Sequence, residues 1–143
     1  MSTVAELRIA PARPPDRPVL FALAESAFAS MPGWDPAGVV RALADDVVFV
    51  ARELEALAGY VALRREGERS LLIEQLLVAP GHEGHGVGRR LLAYAEGYAV
   101  AERLPALRVV VEASNVRARE VYRRLGFLPR GGEIFERTLP YVL

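Results

Sequence analysis

Apolar positions alternate with polar ones from Val4 to Ala10, the period of a half-buried strand, and the proline-rich run 11–18 breaks it. Beyond the break the spacing lengthens. Val19, Leu20, Leu23, Ala27 and Phe28 fall on one face of a helix for which Asp16 is a suitable N-cap. Residues 30–36 read as a loop, and Asp35 followed by Pro36 predicts a cap and a first-turn proline for a short second helix reaching about Ala44. Three stretches rich in Val, Leu and Ile come next, residues 46–53, 56–67 and 69–79, parted by turns near Leu54 and Gly67. Their lengths and short connections predict an antiparallel meander.

After a glycine-rich stretch, Val87, Leu91, Tyr94, Ala95 and Tyr98 trace one face of a third helix expected to end near Pro105. Residues 106–113 are a short apolar strand reached through that helical crossover, which predicts parallel pairing with the strand ending at Val78. Ser114 or Asn115 caps a last helix, with Ala118, Val121, Tyr122 and Leu125 inward and Arg117, Arg119, Arg123 and Arg124 outward. Residues 126–143 close the chain as two strands. The sum is one domain over residues 1–143 of mixed α+β class: a mostly antiparallel mixed sheet of six to seven strands with one parallel pair, flanked by about four helices.

Composition narrows the chemistry. Hydrophobic residues make up 52% of the 143, yet no unbroken apolar run reaches the ~18 residues of a membrane span, and no basic-then-apolar leader precedes the first strand. The expectation is a cytoplasmic protein with no membrane partner. The absence of cysteine excludes disulfides, thiolate metal sites and a cysteine nucleophile. Basic and acidic residues balance at 18 each, which argues against a nucleic-acid partner. All the basic residues are arginine, so no lysine is present for a Schiff base or a Walker-type phosphate loop.

Candidate chemistry concentrates in PGHEGHGVGRRLL, residues 80–92, where Gly84, Gly86 and Gly88 alternate between a strand and a helix. The first amides of a helix have no intrahelical partners and lie at its positive end, and glycine lets a phosphate approach them without meeting a Cβ. A phosphate or pyrophosphate is therefore the expected ligand class, with a bare tight turn as the alternative. Arg89 stands where a dinucleotide fingerprint needs its third glycine, and Arg89 with Arg90 where a Walker loop needs Lys-Ser/Thr, so neither pattern is met. His82 and His85 form a His-x-x-His pair, but in a loop and with no third ligand evident, so no metal is expected there.

This stretch, taken with EASNVRAREVYRRLGF at residues 112–127, resembles the GCN5-related N-acetyltransferase (GNAT) superfamily. The family's pyrophosphate loop, Gln/Arg-x-x-Gly-x-Gly/Ala, corresponds to Glu83 through Gly88, preceded by Leu76, Val78 and Pro80 in its Leu-x-Val-x-Pro strand. Its later motif, Asn-x-x-Ala-x-x-x-Tyr-x-x-x-Gly-Phe, is met by Asn115, Ala118, Tyr122, Gly126 and Phe127. Glu83 departs from the pattern by putting a carboxylate where the family has Gln or Arg.

The resemblance implies a GNAT-like fold whose parallel pair splays apart, and an acetyl-CoA-dependent N-acetyltransferase. Direct transfer in a ternary complex would acetylate a small-molecule amine or a peptide N-terminus. It assigns Leu76, Leu77 and Val78 to main-chain contacts with the pantetheine arm of coenzyme A. Gly84, His85, Gly86, Val87, Gly88 and Arg89 are assigned to the pyrophosphate, and Asn115 and Tyr122 to further cofactor contacts. Tyr122 is also the implied general acid for the departing thiolate. Glu74 and Glu112, carboxylates in otherwise apolar strands, are the candidate bases; Val110 occupies the place where some relatives carry one. The acceptor side falls on residues 28–35, with Trp34, Glu25 and Asp35 as candidate amine contacts and core packing as the alternative for Trp34. Two further readings are an acyl-CoA-binding sensor on the same fold with little catalysis, and a nucleotide-binding module unrelated to coenzyme A. Edge strands near the C-terminus offer a route to a homodimer.

Overall fold

The computed structural model describes residues 6–31 and 33–139; Val4 and Ala5 of the first expected strand and residues 140–143 of the last lie outside them. Along the chain come β1 (Leu7–Pro11), α1 (Asp16–Phe28), α2 (Pro36–Asp45), β2 (Val47–Glu53), β3 (Ala56–Glu66) and β4 (Ser70–Val78). They are followed by α3 (Val87–Ala101), β5 (Ala106–Val110), α4 (Val116–Arg124), β6 (Leu128–Gly131) and β7 (Ile134–Thr138). The strands form one mixed sheet in the order β1-β2-β3-β4-β5-β7-β6. β4 and β5 run parallel, as the helical crossover predicts, and β1–β2, β5–β7 and β6–β7 are antiparallel; β2, β3 and β4 are consecutive neighbours, the order expected of the meander. Among the described residues no helix is long and apolar enough to cross a membrane.

Packing divides the chain into two compact units, residues 1–62 with 75–94 and residues 63–74 with 95–143. In the first, Leu20 and Ala24 of α1, Val39 and Leu43 of α2 and Val48, Val50, Tyr60 and Leu77 of the strands make a buried core. Each buried Leu or Val side chain contributes roughly 1.5–3 kcal/mol by leaving water. The inward face of α1 is narrower than its spacing predicts: Ala24 is buried, whereas Val19 remains 53% exposed. Pro15, not Asp16, takes the cap position. Asp16 instead accepts the Arg13 N–H at 2.8 Å and the Arg52 guanidinium at 2.9 Å, the first of which does most to hold its carboxyl below the usual range. α2 follows its sequence signal, with Asp35 accepting the Gly38 N–H at 3.1 Å and Pro36 opening the helix. Within β3, a Cβ on Gly59 would stand 2.3 Å from the Leu77 carbonyl oxygen, so glycine there is what lets β3 lie so close to β4.

In the second unit, β5 is shorter than expected and ends at Val110. Its ladder with β4 runs from Ser70↔Ala106 to Ile73↔Val109 and stops, although β4 continues to Val78. α3 stops at Ala101, ahead of Pro105; Arg103 turns left-handed (φ 58°) and the Leu104 N–H closes on the Ala99 carbonyl at 2.8 Å. α4 departs from its predicted inside and outside. None of its residues is fully buried, Val121 is exposed, and the Arg119 and Arg123 guanidinium groups lie 5.0 and 5.8 Å from the ring centre of buried Phe135. Those arginines cover core with their stems and cation–π contacts, which a plain charge count does not reveal. The outer strand β6 is four residues long, carries Pro129 and shifts register before Gly131, features that blunt an edge against pairing with another chain.

Candidate active site

The loop from β4 to α3 starts with a turn in which the His82 N–H reaches the Ala79 carbonyl at 3.1 Å. Its left-handed glycines are Gly81, Gly84 and Gly86, at φ 86°, 79° and 80°. A Cβ on any of the three would meet nothing within 4 Å, so they are needed for backbone conformation and for open space above the loop, not for packing. Gly88, expected to act with Gly84 and Gly86, differs from them: it lies inside α3, and its absent Cβ faces Val78 Cγ2 at 3.6 Å. The first α3 hydrogen bond in the turn runs from the Arg90 N–H to the Gly86 carbonyl at 3.1 Å. The N–H groups of Val87, Gly88 and Arg89 therefore precede the helical ladder, and Gly86 has no side chain to cap them. Exposed Arg89 and Arg90 add positive charge beside these amides, and Glu83 is exposed to solvent.

On β4, Leu77 is buried, while Leu76 and Val78 are partly so. These three residues lie past the last β4–β5 pair, Ile73↔Val109. Glu74, also past that pair, has little exposed surface and meets Arg64 at 3.1 Å. Glu112 sits beyond the end of β5 and is exposed, unlike Glu74, so it lacks the burial expected of a carboxyl in an apolar strand. Trp34 lies tilted against Phe21, with ring centres 6.3 Å apart, and packs against the first unit's core. Tyr94, assigned to the buried face of α3, is 40% exposed and rests against Phe49, with ring centres 5.6 Å apart.

The second motif is a helix with both ends encoded. Asn115 is the N-cap of α4 and accepts the Ala118 N–H through its side-chain oxygen at 3.1 Å. At the other end Gly126 (φ 91°) donates to the Arg123 carbonyl at 3.0 Å, and Phe127 donates to the Tyr122 carbonyl at 2.9 Å. Those two bonds make a Schellman cap, and the accompanying apolar contact is the edge-on pair Tyr122 and Phe127, 5.4 Å between ring centres. Asn-x-x-Ala and Tyr-x-x-x-Gly-Phe are thus capping spacings, and they hold Tyr122 on the final turn of a short helix. Burial pushes the Tyr122 phenol up to about 12, which keeps its proton in place throughout the neutral range.

One cluster went unseen in the sequence. Nδ1 of His82 stands 2.6 Å and Nδ1 of His85 2.9 Å from the same oxygen, Oε1, of Glu53. Glu53 ends β2 and is buried, and its bonds first to His82 and then to His85 hold its carboxyl below the usual range. It lies 29 and 32 residues from the two histidines, so no local spacing announces it; only the fold supplies the third group.

The sequence profile of the acetyltransferase (GNAT) family matches residues 18–127. The chain belongs to this family. Streptothricin acetyltransferase of Streptomyces lavendulae is 38% identical over 86 residues, 59% of this chain and 46% of that protein. Mycothiol acetyltransferase of Jonesia denitrificans is 37% identical over 84 residues, 58% of this chain and 27% of that protein. The matched stretch thus spans less than half of either relative's length. Among solved structures, PaiA N-acetyltransferase from Thermoplasma acidophilum in complex with coenzyme A superposes with a TM-score of 0.74 at 18% identity, over 93% of this chain and 99% of that one. That likeness establishes the GNAT fold.

Proposed function

We propose that residues 1–143 act as an acetyl-CoA-dependent N-acetyltransferase that passes the acetyl group directly to a primary amine, on a small molecule or a peptide N-terminus, in a ternary complex. The observation that carries this reading is the start of α3, where three amides precede the helical ladder behind left-handed, uncovered glycines. Gly84, His85, Gly86 and the amides of Val87, Gly88 and Arg89 receive the pyrophosphate. The main chain of Leu76, Leu77 and Val78, free of the β5 ladder, accepts the pantetheine arm as an added strand. An N–H near Leu76 polarises the thioester carbonyl. The side-chain amide nitrogen of Asn115, left over by its capping oxygen, donates to the same cofactor.

The neutral amine attacks the carbonyl carbon, a C–N bond forms and the C–S bond breaks. Tyr122 gives its proton to the leaving sulfur. Glu74, paired with Arg64, takes the amine proton through a water. Support comes from family membership and from both capping spacings around Tyr122. Thermal-shift titration followed by assay of thiol release against a panel of primary amines tests the reading. Stabilisation by acetyl-CoA but not by ATP or NAD, with amine-dependent thiol release, is expected. No stabilisation by acetyl-CoA refutes cofactor binding, and stabilisation without turnover on any amine favours the sensor.

A further inference from the structure

Of Glu53, His82 and His85, only His85 belongs to the loop assigned to the pyrophosphate, and its imidazole is turned to Glu53. The trio's two Nδ1 atoms converge on one oxygen, at 2.6 and 2.9 Å, and the three donor atoms lie within 4.8 Å of one another. Glu53 is 7% exposed, and among the described residues its charge is met by these two imidazoles and by no guanidinium. A buried anion between two nitrogen donors is a set that a single divalent cation satisfies. Bonds of about 2.0–2.2 Å place tetrahedral N and O donors roughly 3.3 Å apart, so His82 and His85 need to withdraw from Glu53 Oε1 by about 0.7 and about 0.4 Å. Left-handed Gly81 and Gly84 flank His82 and adjoin His85, and neither is held by packing around a Cβ, so the loop has room for that adjustment. The His85 side chain is 49% exposed, which leaves one side of the cluster open for a fourth ligand from solvent.

We propose that Glu53, His82 and His85 form a three-ligand site for a divalent transition metal of the zinc class, tying the glycine loop to the end of β2. Two imidazoles and one carboxylate suit Zn²⁺, Co²⁺ or Ni²⁺, whereas Ca²⁺ and Mg²⁺ take oxygen ligands. Binding through Nδ1 leaves each neutral imidazole with its proton on Nε2 and sets a doubly charged ion against the buried carboxylate. His-x-x-His lacks a third ligand along the chain, and the fold provides one in Glu53. The site stands independently of the acetyltransferase reading.

The test is titration of the tag-free, chelator-treated chain with Co²⁺, followed by displacement with Zn²⁺. One ion per chain, the visible absorption of tetrahedral cobalt, and a melting temperature that climbs with free Zn²⁺ are expected. Glu53→Gln and His85→Gln should each weaken Co²⁺ binding by about 100-fold or more, since even partners outside the ligand shell are worth roughly 10–100-fold. His85→Gln alters a half-exposed side chain, and circular dichroism of the metal-free variant checks that it is folded. No saturable Co²⁺ binding by the wild-type chain overturns the proposal, as does an unchanged cobalt spectrum in folded His85→Gln. In either case the trio is a hydrogen-bonded clamp in which both imidazoles donate to Glu53.

Discussion

Helices α3 and α4 each begin after a strand and a short loop, and they treat their first amides in opposite ways. At α4 the side chain of Asn115 accepts the Ala118 N–H, so the helix answers part of its own unmet polarity. At α3 the corresponding residue is Gly86, which has no side chain, and the surface above Gly81, Gly84 and Gly86 is open. The physical demand is the same at both ends, because an α-helix always starts with donors that have no partner within it. A helix that caps itself is a structural support; one that leaves its donors open offers them to an anion. In this chain the first arrangement carries Tyr122 and the second is the expected pyrophosphate cradle.

The largest effect is expected where the supporting helix presents its chemistry. Tyr122→Phe keeps the ring against Phe127 and removes the proton. It should lower kcat by about 100-fold or more with little change in acetyl-CoA affinity, read by steady-state kinetics beside calorimetry. An unchanged kcat would leave Tyr122 as a packing residue. At the open helix, Gly86→Val forces a β-branched residue toward φ 80°. The strain of roughly 1–2 kcal/mol should weaken acetyl-CoA binding by about tenfold or more, measured by calorimetry on a chain that still folds. Equal affinity would mean that the cradle does not depend on this conformation.

Asn115 divides the two roles. Asn115→Ala should cost about 1 kcal/mol of stability through the lost cap, whereas Asn115→Asp retains a capping oxygen and loses the amide donor. The aspartate variant should therefore melt close to wild type and bind acetyl-CoA less tightly by one hydrogen bond, about threefold to tenfold. The smallest effect lies in the ladder of the α4 unit. There Glu136 pairs opposite Arg108, whose guanidinium bonds it at 2.9 Å and holds its carboxyl below the usual range. A depressed folded pKa means stability that is present above the unfolded value and lost as pH falls through the folded one. Melting temperatures should drop on acidification below about pH 4.5, and the drop should be shallower in Glu136→Gln. Parallel pH profiles for the two proteins would assign no such role to the pair.

The elements legible in the sequence were those whose cause is local. Asp35–Pro36 opens α2, Gly67 (φ 61°) turns β3 into β4, and the asparagine, alanine, tyrosine, glycine and phenylalanine spacings of α4 describe its own two caps. The turn from β2 to β3 falls near Leu54 as expected but carries no glycine or asparagine signal, because Leu54 and Glu55 hold left-handed φ of 47° and 70° without them. Helix faces were less legible. Spacing puts Val19, Tyr94 and Val121 inward, and all three are exposed, since periodicity marks a face without saying how wide a surface its neighbour covers.

By itself the sequence determined the order of strands and helices, the glycines that admit left-handed backbone, the caps of α2 and α4 and the two motifs that mark the family. These depend on residues within a few positions of one another, where φ preferences and cap hydrogen bonds act. The tertiary structure alone decided that the ladder of β4 with β5 ends at Ile73, that Glu74 faces Arg64 while Glu112 lies in solvent, and that Glu53 meets His82 and His85. Each of those outcomes depends on which distant segments pack together, and that choice is made by burial of the whole chain rather than by any local preference.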